Sequence, residues 1–208
     1  MENEAKKPSM GRKVYIAAAL FLILVGLPAV SWFYLRSGLN WRKAAVAELA
    51  DYGKIAKAPI IWPDGTWEDQ LKGKVTVVHI FGDNPDLTET NRQILDTAEK
   101  LFDQFGSTNE FRLAMIANGG TAEFRSHAQK MPSADHATWA WSGGLGSWRT
   151  AIENGYESFC LAEGIKPVPR YFALADTAGT IRRFYDATNQ KQVDRMVQHI
   201  ALLLPVKN

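Results

Sequence analysis

Apolar runs separated by charged or turn-forming stretches divide this chain into elements. The first run, "VYIAAALFLILVGLPAVSWFYL", fills residues 14–35 without a charge and is bracketed by Lys13 and Arg36. At about 1.5 Å per helical residue it reaches roughly 33 Å, enough for a hydrocarbon core of about 30 Å. Trp32, Phe33 and Tyr34 crowd its far end, where amphipathic rings favour the headgroup region, and Pro28 predicts a kink. The run is longer than the apolar stretch of a cleaved signal peptide, and "AVS" is a feeble cleavage site, so it reads as an uncleaved transmembrane helix behind a tail of residues 1–13.

Residues 36–58 read as a juxtamembrane helix or linker, with Ala44, Val46, Leu49 and Tyr52 at helical spacing. The body, residues 59–208, changes period several times. Residues 75–81 are β-rich and apolar on both faces, as in a central strand covered on both sides. Residues 88–105 place Ile94, Leu95, Ala98, Leu101, Phe102 and Phe105 on one helical stripe, and Thr90 with Gln93 offers a capping box. Residues 111–117 predict a second buried strand and residues 121–131 a short helix ending before Pro132. "ATWAWSGG" predicts a strand or extended turn, and "LGSWRTAIENGY" another helix. Residues 171–175 and 180–185 flank "DTAG", a hairpin signal with Gly179 available for positive φ. A last helix over 190–204 lines up Val193, Met196, Val197, Ile200, Leu203 and Leu204 and stops at Pro205. The order βαβα…ββα predicts an α/β body, one central mixed sheet flanked by helices on both sides.

Charge and chemistry narrow the function. The net charge is +2, but five basic residues lie within residues 1–36, which leaves the body close to neutral and without an electrostatic footprint for nucleic acid. Lys6, Lys7, Arg12 and Lys13 precede the span, against Arg36, Arg42 and Lys43 after it, a bias toward a cytoplasmic tail and an external body. The single cysteine, Cys160, forms no internal disulfide and no dithiol couple. No cation stands beside it in "ESFCLAEG", so it reads as a small buried hydrophobe. His79 reads as an interior histidine, His127 and His199 as exposed helix residues, and none of these pairs with His136 at a metal-ligand spacing. Asp83, Asp86 and Glu89 lack a calcium-loop pattern and read as solvated acids favoured by a helix amino terminus. Hydrolase elbow, P-loop and dinucleotide fingerprint are all missing from the sequence.

Four stretches carry a resemblance: "LKGKVTVVHIFGDNPDLTETNRQIL", "TWAWSGG", "FALADTAGTIRRFYDATN" and the terminal helix. Together, over roughly residues 58–204, they resemble a thioredoxin-like domain of the Sco (SenC) family of membrane-anchored copper chaperones for cytochrome c oxidase. The hairpin is the most specific of the four. The family's copper site takes two cysteines in C-P-x-x-C and a histidine eight residues before the hairpin aspartate. Laid onto this chain, the cysteine positions are Asn84 and Thr88, with matching Pro85 and Asp86 between them. The hairpin aspartate is Asp176, so the histidine position is Val168. Cu(I) is selected by thiolate and imidazole, and an amide, a hydroxyl and an isopropyl group replace neither. The resemblance therefore implies a divergent member with degenerate ligand positions, no catalytic residue, no metal and no cofactor. Pro169 departs from the family pattern and stands where many thioredoxin-like proteins carry a cis-proline; the cis form is the reading favoured here over a trans proline opening an edge strand.

Trp139, Trp141 and Trp148 lie close together between glycines; they serve as core or, where exposed, as rigid aromatic anchors for a partner. With Pro85, Asp86 and Pro169 they are the candidate interaction residues. The expectation is a non-enzymatic accessory or structural subunit, or assembly factor, of a respiratory membrane complex such as cytochrome c oxidase. It would sit in a bacterial inner membrane, with the bilayer and the complex's subunits as partners, no nucleic acid and a periplasmic body. The alternative is a copper- or thiol-handling assembly factor acting through Cys160 and a partner's cysteine.

Overall fold

The computed structural model describes the backbone of residues 10–55, 73–130, 139–141 and 145–205, and the side chains of 14–55, 73–130 and 149–205. The chain divides into two compact units, Met1–Ala44 and Ala45–Asn208.

The first is helical. Helix α1 (Met10–Phe21) passes through one π-helical turn, Leu22–Gly26, into α2 (Leu27–Ala47), and the Leu27 N–H reaches back five residues to the Leu22 carbonyl. The wide turn lies just before Pro28, which has no N–H to give and whose ring crowds the carbonyl four residues back. The disturbance predicted at Pro28 is thus met by a π turn and the helix continues. Among the described residues, Val14–Ala47 is the one helix long and apolar enough to cross a membrane. It does not break near Arg36 but runs on to Ala47.

The second unit is a five-stranded mixed sheet in the order β3-β2-β1-β4-β5. Its elements are β1 (Val75–Asp83), α3 (Glu89–Phe105), β2 (Phe111–Asn118), α4 (Ala122–Lys130), β3 (Trp139–Trp141), α5 (Leu145–Glu163), β4 (Tyr171–Ala175), β5 (Ile181–Asp186) and α6 (Gln190–Leu203). β1, β2 and β3 run parallel; β4 and β5 are antiparallel to their neighbours. The β4–β5 hairpin turns at Gly179, φ 76°, with the Asp176 carboxylate accepting from the Ala178 and Thr180 N–H groups. Residues 56–72 and 131–138, with "APIIWPDGTW" and His136, lie outside the described residues.

Apolar residues of β1 alternate between two cores. Val75 and Val77 join Leu113, Met115, Phe172, the α3 stripe, Phe124 of α4 and Met196 and Ile200 of α6. Val78 and Ile80 join Ala114, Ile116, Ala173, Phe184 and the α5 residues Ile152, Tyr156, Phe159 and Cys160. Cys160 is therefore a buried core thiol.

The far part of the expected linker is an edge strap. Tyr52 N–H donates to the Ile181 carbonyl (2.9 Å), Ile181 N–H to Gly53 (2.8 Å) and Ile55 N–H to Gly179 (2.9 Å). A free β5 edge would invite strand pairing with another chain, and the strap covers it. It passes so close to α5 that a Cβ on Gly155 would come within 2.7 Å of the Tyr52 carbonyl oxygen.

Two local expectations are corrected. The amino-terminal cap of α3 is Thr88, whose Oγ1 accepts from Asn91 N–H at 3.1 Å, whereas Gln93 bonds to Glu89. The loop turns tightly enough for Thr88 and Asn91 both to bond the Asp86 carbonyl, which starts the helix before Thr90. His199 is fully buried rather than exposed: three residues after Met196 it falls on the inner face of α6. There its Nδ1 lies 2.6 Å from the Tyr185 hydroxyl and its Nε2 faces Glu48 Oε2 at 3.6 Å, which gives the ring polar company. Burial pushes its pKa down to about 4.

Candidate functional site

β1 ends in a bulge at which Phe81 drops out of register with β2, and Gly82 (φ 87°) turns the chain toward the loop of residues 84–88. Asn84 has φ 45°, a left-handed conformation that asparagine tolerates better than most side chains. Its N–H donates to the Asn118 carbonyl at 2.8 Å, and its Oδ1 occupies the space that a Cβ on Gly119 would need. Pro85 is buried and its carbonyl accepts from Thr121 N–H at 3.1 Å; Asp86 is exposed. Thr88 caps α3. Both positions at which the resemblance puts cysteine thus carry out backbone tasks.

Val168 lies at the same end of the sheet, because β4 runs antiparallel to β1 and begins where β1 ends. It is half-buried, and its N–H donates to the Tyr156 hydroxyl at 2.8 Å. The Tyr156 ring stacks on Tyr171 at 3.8 Å, and burial pushes the Tyr156 pKa up to about 12. Pro169 is exposed and preceded by a trans peptide, which corrects the cis reading; a proline opening the stretch before β4 needs no special isomer.

The electrostatics of the loop come from a network that the sequence does not advertise. Asp83 Oδ1 accepts from Asn118 Nδ2 at 2.9 Å and Oδ2 from Arg149 Nη1 at 3.3 Å; these partners hold its carboxyl below the usual range. Arg149 also approaches Glu153 one turn along α5. Asp83 is therefore an ion-paired strut rather than a merely solvated acid, and a guanidinium supplies the positive charge beside this loop. Only the Arg149–Glu153 spacing is visible in sequence; the pairing with Asp83 depends on how α5 returns to the sheet.

The donor set does not fit Cu(I). Asn84, Thr88 and Val168 offer no thiolate or imidazole, and among the described residues no group of three His, Cys, Asp or Glu is arranged to hold a metal ion. His79 is close along β1 but buried, its Nδ1 2.7 Å from the Tyr171 carbonyl and its ring edge-on to Phe81. The side chains of Trp139, Trp141 and Trp148 lie outside the described residues; the backbone of the first and second forms β3.

Because the loop positions serve the backbone, cysteine there is unfavourable before any ligand is considered. Cysteine at φ 45° costs about 1 kcal/mol relative to asparagine, and loss of the threonine cap about 1 kcal/mol more. Asn84→Cys/Thr88→Cys, kept reduced, is expected to lose about 2 kcal/mol of stability. Denaturant melts of the variant beside wild type measure this.

Among solved structures, the chain is similar to a putative thiol:disulfide interchange protein DsbE from Chlorobium tepidum, with 15% identity over 75% of this chain and 99% of that one and a TM-score of 0.51. It is likewise similar to BsSco, a member of the Sco family of cytochrome c oxidase assembly proteins, with 18% identity over 76% of this chain and 97% of that one and a TM-score of 0.50. No family model matches the sequence. No curated protein matches it either. The fold is thioredoxin-like, preceded by a helix long and apolar enough to span a membrane.

Proposed function

We propose that this chain is a membrane-anchored, Sco-type thioredoxin-like protein without copper or thiol chemistry. In this reading it serves as an accessory or structural subunit, or assembly factor, of a respiratory membrane complex such as cytochrome c oxidase, in a bacterial inner membrane with its body on the periplasmic side. The observation that carries it is the reassignment of the loop: Asn84 takes the left-handed turn and Thr88 caps α3. A fold kept while its reactive positions take up backbone tasks points to a retained surface. Asp86, Pro169 and the tryptophans Trp139, Trp141 and Trp148 are the contacts proposed for that surface; Pro85, a candidate by sequence, is buried beneath the loop and supports it from within.

The second reading, transfer through Cys160, requires a thiol that a partner can reach. Cys160 is only 3% exposed, packed among Ile152, Tyr156 and Phe159, so exchange would need the α5 core to open.

Purification from gently solubilised native membranes tests the proposal. Stoichiometric co-elution with respiratory subunits is expected, and titration with Cu(I) should give no defined complex. Elution alone overturns the proposal, and one equivalent of Cu(I) lost on Cys160→Ser transfers it to the second reading.

A further inference from the structure

Two asparagines of this chain are followed by glycine, in Asn118–Gly119 and Asn154–Gly155. A glycine nitrogen, with no Cβ in its way, reaches the preceding side-chain amide more readily than any other residue's nitrogen does. In an unfolded chain the two pairs are alike, and the fold separates them. Gly155 lies inside α5, where its N–H belongs to the helical ladder, and it is buried against the strap, a Cβ there coming within 2.7 Å of the Tyr52 carbonyl oxygen. Turning that peptide toward the Asn154 side chain requires α5 to open. Asn118 is the exposed last residue of β2, and Gly119 has already left the strand. Gly119 N–H has no acceptor among the described residues, and Gly119 and Gly120 follow one another at φ 80° and 135°. Among the described residues one bond holds the Asn118 side-chain amide, from Nδ2 to the exposed Asp83 Oδ1 at 2.9 Å. Asn84, in the neighbouring loop, precedes Pro85, whose nitrogen has no proton to give up.

We propose that Asn118 is a self-modification site, at which attack by the Gly119 nitrogen removes the side-chain amide and the acid left behind loosens the loop of residues 84–88. Base from solvent takes the Gly119 N–H proton, and the nitrogen attacks Asn118 Cγ. A new C–N bond closes a five-membered imide while the bond from Cγ to Nδ2 breaks, and the nitrogen leaves as ammonia. Water then opens the imide. Attack at Cγ gives aspartate, and attack at the main-chain carbonyl gives isoaspartate; one water is consumed and nothing is oxidised or reduced. Both products lack the Nδ2 donor and set a second carboxylate beside Asp83. Arg149, which already faces Asp83 and Glu153, is then the cation for three carboxylates. Isoaspartate also inserts a methylene into the main chain between the Asn118 Cα and Gly119. That is where the Asn118 carbonyl accepts Asn84 N–H at 2.8 Å and where Asn84 Oδ1 packs over Gly119. The change therefore falls on the contacts that hold Asn84 in its left-handed turn.

Full-length protein in detergent is aged at mildly alkaline pH, beside a sample aged in urea. Both are digested in acid and fragmented by electron transfer, which tells aspartate from isoaspartate. Conversion at Asn118 in the folded protein is expected within several-fold of its rate in urea, and conversion at Asn154 many-fold below its own rate in urea. Folded protein in which Asn118 is as slow as Asn154 overturns the proposal. Folded protein in which both convert at their urea rates overturns it as well, because the fold then selects neither. Hydrogen exchange is read on the aged fraction, separated by its added negative charge, and on Asn118→Asp, which reproduces the direct product. Faster exchange is expected at the Asn84 and Thr121 amides, with the Ile152 amide unchanged. Unchanged exchange at Asn84 in both samples overturns the loosening of the loop.

Discussion

Acidification from pH 7 to pH 4 is expected to destabilise the body by about 3 kcal/mol through His79 alone. The ring is completely enclosed, with the Tyr171 carbonyl as its polar partner and Phe81 and Phe172 edge-on, and burial pushes its pKa from 6.5 to about 4. The unfolded chain takes up a proton as pH falls through about 6.5, while the folded body cannot do so until about 4. The stability is therefore whole above about pH 6.5, drains away over that window and is flat below it. His199 adds in the same direction: burial and Arg195 lower its pKa, and Glu48 opposes them. Carboxyls held down by hydrogen bonds and ion pairs, Glu48 by Arg195 and Asp83 by the Asn118 amide and Arg149, lose their contributions in a lower window, below the ordinary carboxyl range. Denaturant unfolding across pH 4 to 7 in wild type and His79→Leu isolates the term. The variant starts less stable at pH 7, because the Tyr171 carbonyl loses its donor, but its acid limb is shallower by about 3 kcal/mol. Equal limbs would mean that the buried ring titrates normally.

Helices and strands were legible wherever a face repeats. The stripe from Ile94 to Phe105, the doubly apolar β1 and the Gly179 hairpin each state their own period, and the structure places them within a residue or two of the reading. Polar residues whose roles depend on distant partners were not legible. His199 reads as a surface residue until the Tyr185 hydroxyl and Glu48 close around it. The expected linker contains a strap because β5 has an edge to cover, and local spacing carries no trace of a vacant edge on another strand. That Asn84, Thr88 and Val168 offer no thiolate or imidazole needed only residue identities. What these positions and their neighbours do instead, a left-handed turn, a helix cap and an Asp83–Arg149 strut, is a matter of backbone geometry and tertiary contact. Cys160 lies between these extremes, since its lack of cationic neighbours in sequence already argued for burial, which the α5 core supplies.

Phe124→Ala is expected to cost about 3–5 kcal/mol, which in a body of this size lowers the melting temperature by roughly 10 °C. Phe124 has no exposed surface, its ring meets Phe81 edge-on at 5.0 Å, and its N–H approaches Thr121 Oγ1 at 3.3 Å. Thr121 in turn donates its N–H to the Pro85 carbonyl, and Phe81 leads directly into Gly82 and Asn84. The cavity thus opens beneath the loop of residues 84–88, and close packing transmits its loss to the few atoms that hold the loop in place. Ile152→Ala, in the α5 core on the opposite face, removes buried volume without touching these residues. Hydrogen exchange of the Asn84 and Thr121 amides is therefore expected to accelerate in Phe124→Ala beyond what its global stability accounts for, and in Ile152→Ala only in step with it. If the loop is the surface through which the body meets its complex, Phe124→Ala also weakens co-purification at a temperature where both variants are folded, and Ile152→Ala does not. Equal retention of both variants would move the contact away from Asn84 and Asp86.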